Sequence, residues 1–235
     1  MMGIPKMGPV VAIDGPAGTG KSSVTKRLAD VLGFTHVDTG ALYRALAYFL
    51  IEQKGFKFGS PEFLEQAKPI SHEIHLEFRR MPEKTPANRI FANGKDVTSY
   101  IRTPEISMAA SAVSGVPEVR AALLGLQRRL GCAGKTILEG RDIGTVIFPD
   151  ADVKFFLNAS VEERAKRRLA ELEATGADAL SFEELKKQIQ KRDHDDSTRA
   201  VAPLKRATDA IEIDTSKMTL DEVVSLMESK IRERI

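Results

Sequence analysis

The sequence has little of what disulfide-bonded, membrane-spanning or metal-cluster proteins need. Among its 235 residues there is one cysteine, Cys132, and no tryptophan. A single cysteine cannot form an internal disulfide or a cysteine-based metal cluster, which is typical of a reducing compartment. No apolar run approaches the roughly 20 residues of a membrane span, and residues 1–9 lack the apolar core of a signal peptide. We therefore expect a soluble protein of the cytoplasm.

Long runs of one charge are also lacking. The 35 basic and 33 acidic residues are mostly interleaved and leave a net charge of +2. Nucleic-acid binders usually carry a basic patch or stripe, so the composition disfavours a nucleic-acid partner. Hydrophobic residues make up 42% of the chain, which is enough for one large domain or for one core with insertions. We expect the protein to be a monomer.

Strand-like and helix-like segments alternate along most of the chain, which is typical of a parallel sheet covered by helices. The predicted strands are Val10–Asp14, His36–Asp38, Thr136–Leu138, Val153–Leu157 and Ala210–Ile213. Between residues 71 and 97 the pattern changes to a small antiparallel insertion. The alternating run His72–Phe78 and the run Arg89–Ala92 predict two strands of it, and Asn93 and Gly94 predict a hairpin turn.

Helix signals fill the remaining chain. The patterns predict helices through Leu32, over Thr39–Gln53, and from Pro104 to about Leu130 with a break at Gly115–Pro117. Three capping boxes predict further helix starts. They begin at Ser160, Ser181 and Thr219. The first of these helices is predicted to end at Gly176 and the second to run toward Arg192.

The segment Gly15–Ser22 (GPAGTGKS) carries the clearest chemistry. It has the phosphate-loop pattern of a glycine, four residues and Gly-Lys-Ser, and it lies between a predicted strand and a predicted helix. Lys21 would reach oxygens between the β- and γ-phosphates of ATP, and the Ser22 hydroxyl would hold Mg²⁺ directly or through water. The predicted ATP-binding residues are Gly15, Pro16, Ala17, Gly18, Thr19, Gly20, Lys21, Ser22 and Ser23. The loop alone does not separate switches, motors and kinases.

Arginines at three further places suit a second phosphate. Arg44 stands one to two turns into a predicted helix, and Arg141 follows a predicted strand beside Asp142. Ligands of open α/β proteins bind at that edge of the sheet. Arg192 and Arg199 flank a segment without a strong core pattern, as a mobile cover over phosphates would need. The residues thus predict a P-loop enzyme with an arginine-rich acceptor site.

Five motifs resemble the bacterial cytidylate kinase family. They are the phosphate loop, Asp38–Arg44 (DTGALYR), Ser111–Arg120 (SAVSGVPEVR), the run EGRDIGTVIFPDA from Glu139, and the run RDHDDSTRAVAPL from Arg192. The resemblance covers about Val10–Ile213. It implies a P-loop nucleoside monophosphate kinase fold, in which a parallel sheet flanked by helices carries a small antiparallel β insertion and a mobile lid.

The resemblance also implies a division of labour along the chain. The P-loop core would be residues 1–38, 113–181 and 200–235, the monophosphate-binding domain residues 39–112, and the lid residues 182–199. The substrates would be ATP and CMP or dCMP, with Mg²⁺ as cofactor. The residues implied in catalysis are Lys21, Arg141, Arg192 and Arg199.

Substrate contacts are implied position by position. Thr39 and Arg44 would contact the monophosphate side; Ser111, Arg120 and Asp142 would surround the cytosine; Arg192 and Asp196 would hold the sugar; Arg141 and Arg199 would hold the phosphate. The exocyclic amine of cytosine is a donor that suits Asp142, and its N3 and O2 are acceptors that suit Arg120. Thr39 stands where some family members have serine, which keeps the hydroxyl. Arg164, Arg167 and Arg168 are further candidates for contact with ATP.

Two alternatives stay open at the level of the sequence. One is a related P-loop kinase of another monophosphate or of a small hydroxy acid such as shikimate. The other is a regulatory nucleotide switch or an RNA-associated NTPase, which the lack of a guanine-reading Asn-Lys-x-Asp motif and of a basic stripe disfavours.

Overall fold

The computed structural model describes residues 5–81, 83–84, 86–175 and 180–235. The described chain forms two compact units. We call residues 5–36 together with 132–235 the core unit, and residues 37–131 the inserted unit. In the part of the chain that the structure describes, no helix combines the length and the apolar character needed to cross a membrane.

The elements follow in chain order. The core unit opens with β1 (Val10–Asp14), α1 (Lys21–Leu32) and β2 (Thr35–Asp38). The last two residues of β2, Val37 and Asp38, belong to the inserted unit. The inserted unit contains α2 (Gly40–Tyr48), α3 (Pro61–Glu73), β3 (Leu76–Arg80), β4 (Asn88–Ala92), β5 (Lys95–Asp96), α4 (Pro104–Ser114) and α5 (Pro117–Cys132). The chain continues in the core unit with β6 (Thr136–Gly140), β7 (Val153–Asn158), α6 (Val161–Thr175), α7 (Phe182–Thr198), β8 (Ile211–Asp214) and α8 (Leu220–Arg232). Turns of π-helix lie at Phe49–Gln53 and Ile143–Ile147.

The larger sheet has the strand order β2-β6-β1-β7-β8. The central strand β1 pairs in parallel with β6 and with β7, and all five of its residues are buried. A strand covered on both faces needs a continuous apolar run, which Val10–Ile13 supplies. Asp14 ends the strand opposite Gly140 of β6. Because parallel strands end at one edge, the loops after β1, β6 and β7 meet there.

A single hydrophobic cluster joins this sheet to two helices. Val24 and Leu28 of α1 and Met227 and Ile231 of α8 pack with the apolar residues of the strands, and Leu28, Met227 and Ile231 have no exposed surface. Fully burying a side chain of this size stabilises the fold by about 1.5–3 kcal/mol. The cluster therefore holds α1, and with it the start of that helix, firmly on the sheet. The predicted parallel sheet flanked by helices is confirmed.

The inserted unit has a core of its own around α2, where Leu42, Leu46 and Leu50 are completely buried. Its three strands form an antiparallel sheet of order β3-β4-β5. The hairpin between β4 and β5 turns at Asn93 (φ +48°) and Gly94 (φ +78°), the two left-handed residues that a type I′ turn needs. The predicted β insertion and its turn are confirmed.

The predicted strand over His72–Phe78 begins too early. His72 and Glu73 are the last residues of α3, and the strand starts at Leu76. Helix α3 was not predicted, since Pro69 lies inside it and the residues at its end alternate in polarity. It forms because Phe63, Ala67 and Ile70 give it one buried face, and packing outweighs the hydrogen bond that Pro69 cannot donate.

The helix that was predicted to run toward Arg192 extends further, because α7 continues to Thr198. The predicted helix end is therefore six residues too early. Asp196 in the last turn is 4% exposed, so burial of this carboxylate among arginines accounts for helix in a stretch that lacks an apolar pattern. Of the capping boxes, those at Ser181 and Thr219 are complete, and Ser160 accepts from the Glu163 N–H. The predicted end at Gly176 lies outside the described residues.

Candidate active site

The phosphate loop connects β1 to α1 in the core unit, as predicted. Gly15 has φ +147°, and a Cβ there would lie 2.0 Å from the backbone oxygen of Leu157. Gly20 has φ +87° and directly precedes the first residue of α1. Glycine adopts both conformations without strain and permits the close approach to β7. The start of α1, with its unpaired N–H groups and positive dipole end, is a site suited to an anion.

Lys21 is a buried cation at this helix start. Its side chain folds back over the loop, where Nζ donates to the backbone oxygen of Pro16 at 2.6 Å and lies 3.3 Å from Thr19 Oγ1. Burial lowers the pKa of Lys21 well below its ordinary value, and the positive charge of Arg141 lowers it further. Phosphate oxygens would oppose both effects. The residue is thus a buried cation at the helix start, where an anion would offset its charge.

Ser22 and Glu139 form the next contact. Ser22 Oγ donates to Glu139 Oε2 at 2.8 Å, while Glu139 Oε1 lies 2.9 Å from His36 Nε2. Glu139 is 4% exposed at the end of β6. Glu139 lies in one of the motifs, but the sequence analysis assigned it no role. Its place at a strand end, two positions before Arg141, was the signal that could have found it. Its two hydrogen bonds join β2, β6 and α1.

Asp14 is a second carboxylate that sequence reasoning missed. Its Oδ1 and Oδ2 accept from the backbone N–H groups of Ile143 and Gly144, both at 2.8 Å. Burial raises the pKa of Asp14 to about 6, although the two N–H donors lower it. The carboxylate therefore clamps the π-helical turn after β6, which begins directly after Asp142, to the end of β1.

Charged residues of α7 meet those after β6. Arg141 Nε donates to Asp196 Oδ2 at 3.0 Å, and the Arg199 guanidinium lies 3.9 Å from both Asp196 and Asp142. Burial would raise the pKa of Asp196, but Arg141, then Arg192 and Arg199, outweigh it and hold that pKa below its ordinary value. The structure thus brings together the predicted residues Arg141, Asp142, Arg192, Asp196 and Arg199. We call these five residues the charged cluster.

Arg141 and Arg192 also act on Lys21, because the positive charges of both lower its pKa. The charged cluster and the phosphate loop are therefore electrostatic neighbours within the core unit. Three cations so close together repel one another unless anions neutralise them. A pair of phosphate groups would supply that neutralisation.

The arginines of α6 hold protein groups. Arg164 is 3% exposed; it makes a two-pronged ion pair with Asp193 of α7 at 2.6–2.9 Å and donates to the Ala17 backbone oxygen of the phosphate loop at 3.2 Å. Arg167 donates to Thr215 Oγ1 and to the Thr215 backbone oxygen. Arg168 pairs with Glu171 at the surface. Contact of these three arginines with ATP stays a prediction. Arg164 supports the phosphate loop directly through Ala17. Arg167 supports it through Thr215, whose hydroxyl donates to the Thr19 backbone oxygen.

The remaining predicted substrate residues lie in the inserted unit. Arg44 pairs with Asp38 at 2.7 Å, and Arg102 lies 3.5 Å from the same carboxylate. Arg120 donates to the Ser114 backbone oxygen at 3.1 Å, with its guanidinium 5.7 Å from the centre of the Tyr43 ring. The Ser111 backbone oxygen accepts from the Ser114 hydroxyl, and Thr39 is 3% exposed at the start of α2. Asp38 was not predicted as a site residue, although it orients Arg44.

Oxygen ligands for Mg²⁺ are present at the loop. Mg²⁺ prefers a few protein oxygens together with phosphate oxygens and water rather than an all-protein cage. The Ser22 hydroxyl and the Glu139 carboxylate, 2.8 Å apart, are oxygen ligands of this kind. Among the described residues no group of three or more His, Cys, Asp or Glu side chains could hold a metal by itself. The donor set therefore fits a metal that arrives with a nucleotide.

The phosphate loop at the edge of a parallel sheet, with the cations of the charged cluster beside it, is the arrangement of a P-loop phosphotransferase. A family model described as cytidylate kinase matches residues 11–233. The chain belongs to the cytidylate kinase family, whose members are nucleoside monophosphate kinases. Membership selects the nucleoside monophosphate kinase among the alternatives that the sequence left open.

Individual relatives agree over the full length. The chain is 47% identical over 235 residues to "Cytidylate kinase" of Citrifermentans bemidjiense, covering 100% of this chain and 97% of that protein. It is 48% identical over 229 residues to the protein of that name from Geobacter sulfurreducens, covering 97% and 95% of the two chains. For the one from Anoxybacillus flavithermus the identity is 46% over 225 residues, and 96% of each chain is covered.

Proposed function

We propose that this protein transfers the γ-phosphoryl group of ATP to CMP or dCMP, giving ADP and CDP or dCDP. The observation that carries the proposal is the buried Lys21 at the phosphate loop beside the arginines of the charged cluster. Membership of the cytidylate kinase family supports the choice of acceptor. Cytoplasmic location and a monomeric state stay predictions.

The transfer would be an in-line displacement. An oxygen of the acceptor monophosphate forms a bond to the γ-phosphorus, and the bond to the β-γ bridging oxygen breaks and leaves ADP. A monophosphate oxygen is already ionised near neutral pH, so the step needs no general base and no covalent enzyme intermediate. The residues contribute by alignment and by offsetting negative charge. His194 in α7 therefore needs no part in the chemistry.

Lys21 would act on the phosphates of ATP. Desolvation lowers the pKa of its amine, and the negative charge of a polyphosphate beside it would raise that pKa and stabilise the ammonium. The ammonium would leave the Pro16 backbone oxygen, to which it now donates at 2.6 Å, and turn toward the phosphates. The amine is buried before ATP arrives, so little water has to be displaced from it at the moment of transfer.

The charged cluster would hold the group in transfer and the acceptor. Arg141, Arg192 and Arg199 supply guanidinium groups, which bind phosphate oxygens through paired N–H donors. Asp196 is ionised near neutral pH, because the same arginines hold its pKa below its ordinary value. Its carboxylate keeps Arg141 in position. We propose sugar contacts for Arg192 and Asp196 and phosphate contacts for Arg141 and Arg199.

Ser22 and Glu139 would hold the metal at the loop, Ser22 directly or through water and Glu139 through water. When bound, Mg²⁺ would offset the negative charge of the phosphates. The residues themselves position the hydroxyl and keep the carboxylate at the loop. The proposed contacts of Thr39, Arg44, Ser111 and Arg120 with the monophosphate and the base follow from the family resemblance.

We expect Asp142→Ala to lower the preference for CMP over UMP by about tenfold or more. Uracil presents a carbonyl where cytosine presents an amine, and a carbonyl facing the buried carboxylate leaves two acceptors unpaired. The alanine variant removes that penalty for UMP and the favourable contact for CMP. The measurement is the ratio of kcat/KM for the two acceptors. Asp150→Ala, whose side chain is 71% exposed, is the matched control. An unchanged ratio in Asp142→Ala would assign base recognition to other residues.

A panel of acceptors tests the function itself. Purified protein is incubated with ATP and Mg²⁺ and with each of CMP, dCMP, UMP, AMP, GMP and shikimate, and ADP release is coupled to a reporter reaction. We expect turnover with CMP and dCMP to exceed that with every other acceptor. Activity confined to another monophosphate or to shikimate would replace the proposed acceptor. Slow ATP hydrolysis that CMP does not stimulate would reject the kinase function.

A further inference from the structure

His36 on β2 approaches the phosphate loop through two hydrogen bonds. Its Nε2 lies 2.9 Å from Glu139 Oε1, and Glu139 Oε2 accepts from Ser22 Oγ at 2.8 Å. The side chains of His36 and Glu139 are only 14% and 5% exposed. All three residues belong to the core unit. Water therefore has little access to the bond between His36 and Glu139, whereas Ser22 is exposed at the loop.

The direction of these bonds follows from the donor inventory. A carboxylate accepts and does not donate, so the His36 nitrogen beside Glu139 carries the proton. The Ser22 hydroxyl has one proton, which it donates to the same carboxylate. Its two lone pairs are thereby turned away from Glu139. Glu139 thus aligns the Ser22 oxygen, and His36 in turn keeps the Glu139 carboxylate from rotating about its last side-chain bond.

We propose that His36 is a positioning residue for the metal-nucleotide complex, acting through Glu139 on the Ser22 hydroxyl. The inference rests on the proposed function, because it assumes that Mg²⁺ enters with ATP at the loop. It assigns a role to a residue that lies outside every motif of the phosphate loop and of the charged cluster. Groups that orient metal ligands in this way typically change metal affinity by about 10–100-fold when they are removed.

The test uses two variants at this position. His36→Leu removes the donor at similar volume, and His36→Gln retains an N–H that can reach Glu139. Mg²⁺ is titrated by calorimetry into the full-length protein saturated with a non-hydrolysable ATP analogue, and Mn²⁺ binding is followed by electron paramagnetic resonance. We expect the Kd of the metal to rise about tenfold in His36→Leu and to return to within about threefold of the wild-type value in His36→Gln.

A structural role alone makes different predictions. It lowers the unfolding temperature of His36→Leu but leaves the metal affinity of the folded variant unchanged. The Kd of the ATP analogue, measured in the presence of a chelator, reports how the loop binds nucleotide without metal. For His36→Leu we expect this Kd to stay within about twofold of the wild-type value. His75→Leu, at a histidine that is 74% exposed, is the matched control and should leave metal affinity unaltered. If His36→Leu does not fold, His36→Phe, which keeps a flat ring without a donor, carries the same test.

The outcomes separate this inference from the proposed function. A wild-type protein that phosphorylates CMP, together with a folded His36→Leu that binds metal as tightly as wild type, overturns the role of His36 and leaves the kinase function intact. Failure of His36→Gln to recover metal affinity also overturns it. A wild-type protein that phosphorylates no nucleoside monophosphate overturns the proposed function, whatever the metal affinity of the variants.

Discussion

Replacing Lys21 by alanine is expected to lower kcat for CMP phosphorylation by about 10³-fold while the fold persists. Lys21 is 6% exposed and is the lysine of the phosphate loop. Its ammonium would stabilise negative charge that develops on the β-γ bridging oxygen, in a site from which water is excluded. Exclusion of water makes this contribution large, and the same burial lowers the pKa of the amine well below its ordinary value.

The unfolding transition provides the check on the fold. The buried amine of Lys21 is costly to the folded protein, so alanine should not lower the free energy of unfolding appreciably. Lys26→Ala, at an exposed position of the same helix, is the matched control and should retain activity. A folded Lys21→Ala enzyme with near-normal CDP formation would contradict the assignment of the loop.

A second large effect is expected in the pH dependence of stability. Folding raises the pKa of Asp14 from 3.8 to about 6, so between these values the folded state binds more protons than the unfolded state. The contribution of Asp14 to stability is fully present below pH 3.8 and is lost as the pH rises through about 6. An asparagine at this position does not titrate, so Asp14→Asn provides the reference.

We expect the free energy of unfolding of wild type, measured relative to Asp14→Asn, to fall by roughly 2 kcal/mol between about pH 4.5 and 7.5. Denaturant titrations of both proteins at several pH values measure the difference. In the variant, the side-chain amide N–H faces one of the two backbone N–H groups that donate to Asp14 in wild type. This contact changes the free-energy difference by the same amount at every pH and does not alter its dependence on pH. Asp30→Asn, at an exposed position of α1, controls for the loss of one carboxylate. A difference that stays constant or rises with pH would contradict the burial of Asp14.

Several site features were predictable because their signal is local. The glycines of the phosphate loop, Lys21 and Ser22 lie within eight consecutive residues between a strand and a helix. The capping boxes at Ser181 and Thr219 require a side chain and a residue three positions on, and both form. The left-handed pair Asn93 and Gly94 specified its turn by backbone preference alone. Rules that involve only residues close in the sequence therefore predicted these features correctly.

The wrong element boundaries arose where contacts with residues distant in the sequence outweighed the local pattern. The alternation of His72–Phe78 indicated a strand, but the apolar face of α3 extends the helix to Glu73. The charged stretch after Arg192 lacks a strong core pattern and the helix was predicted to run only toward Arg192, yet the contact of Asp196 with Arg141 accompanies helix to Thr198. In both cases packing or charge pairing with distant residues outweighed the intrinsic preference of the segment.

By itself the sequence determined the phosphate loop, and it predicted a nucleoside triphosphate there and arginines for a second phosphate, because these signals depend on residues a few positions apart. Only the tertiary structure decided which carboxylates serve the loop. Glu139 meets Ser22 from 117 positions away and His36 from 103, and Asp14 meets Ile143 from 129. Such contacts form where parallel strands end side by side, and no pattern along the chain encodes which strands become neighbours.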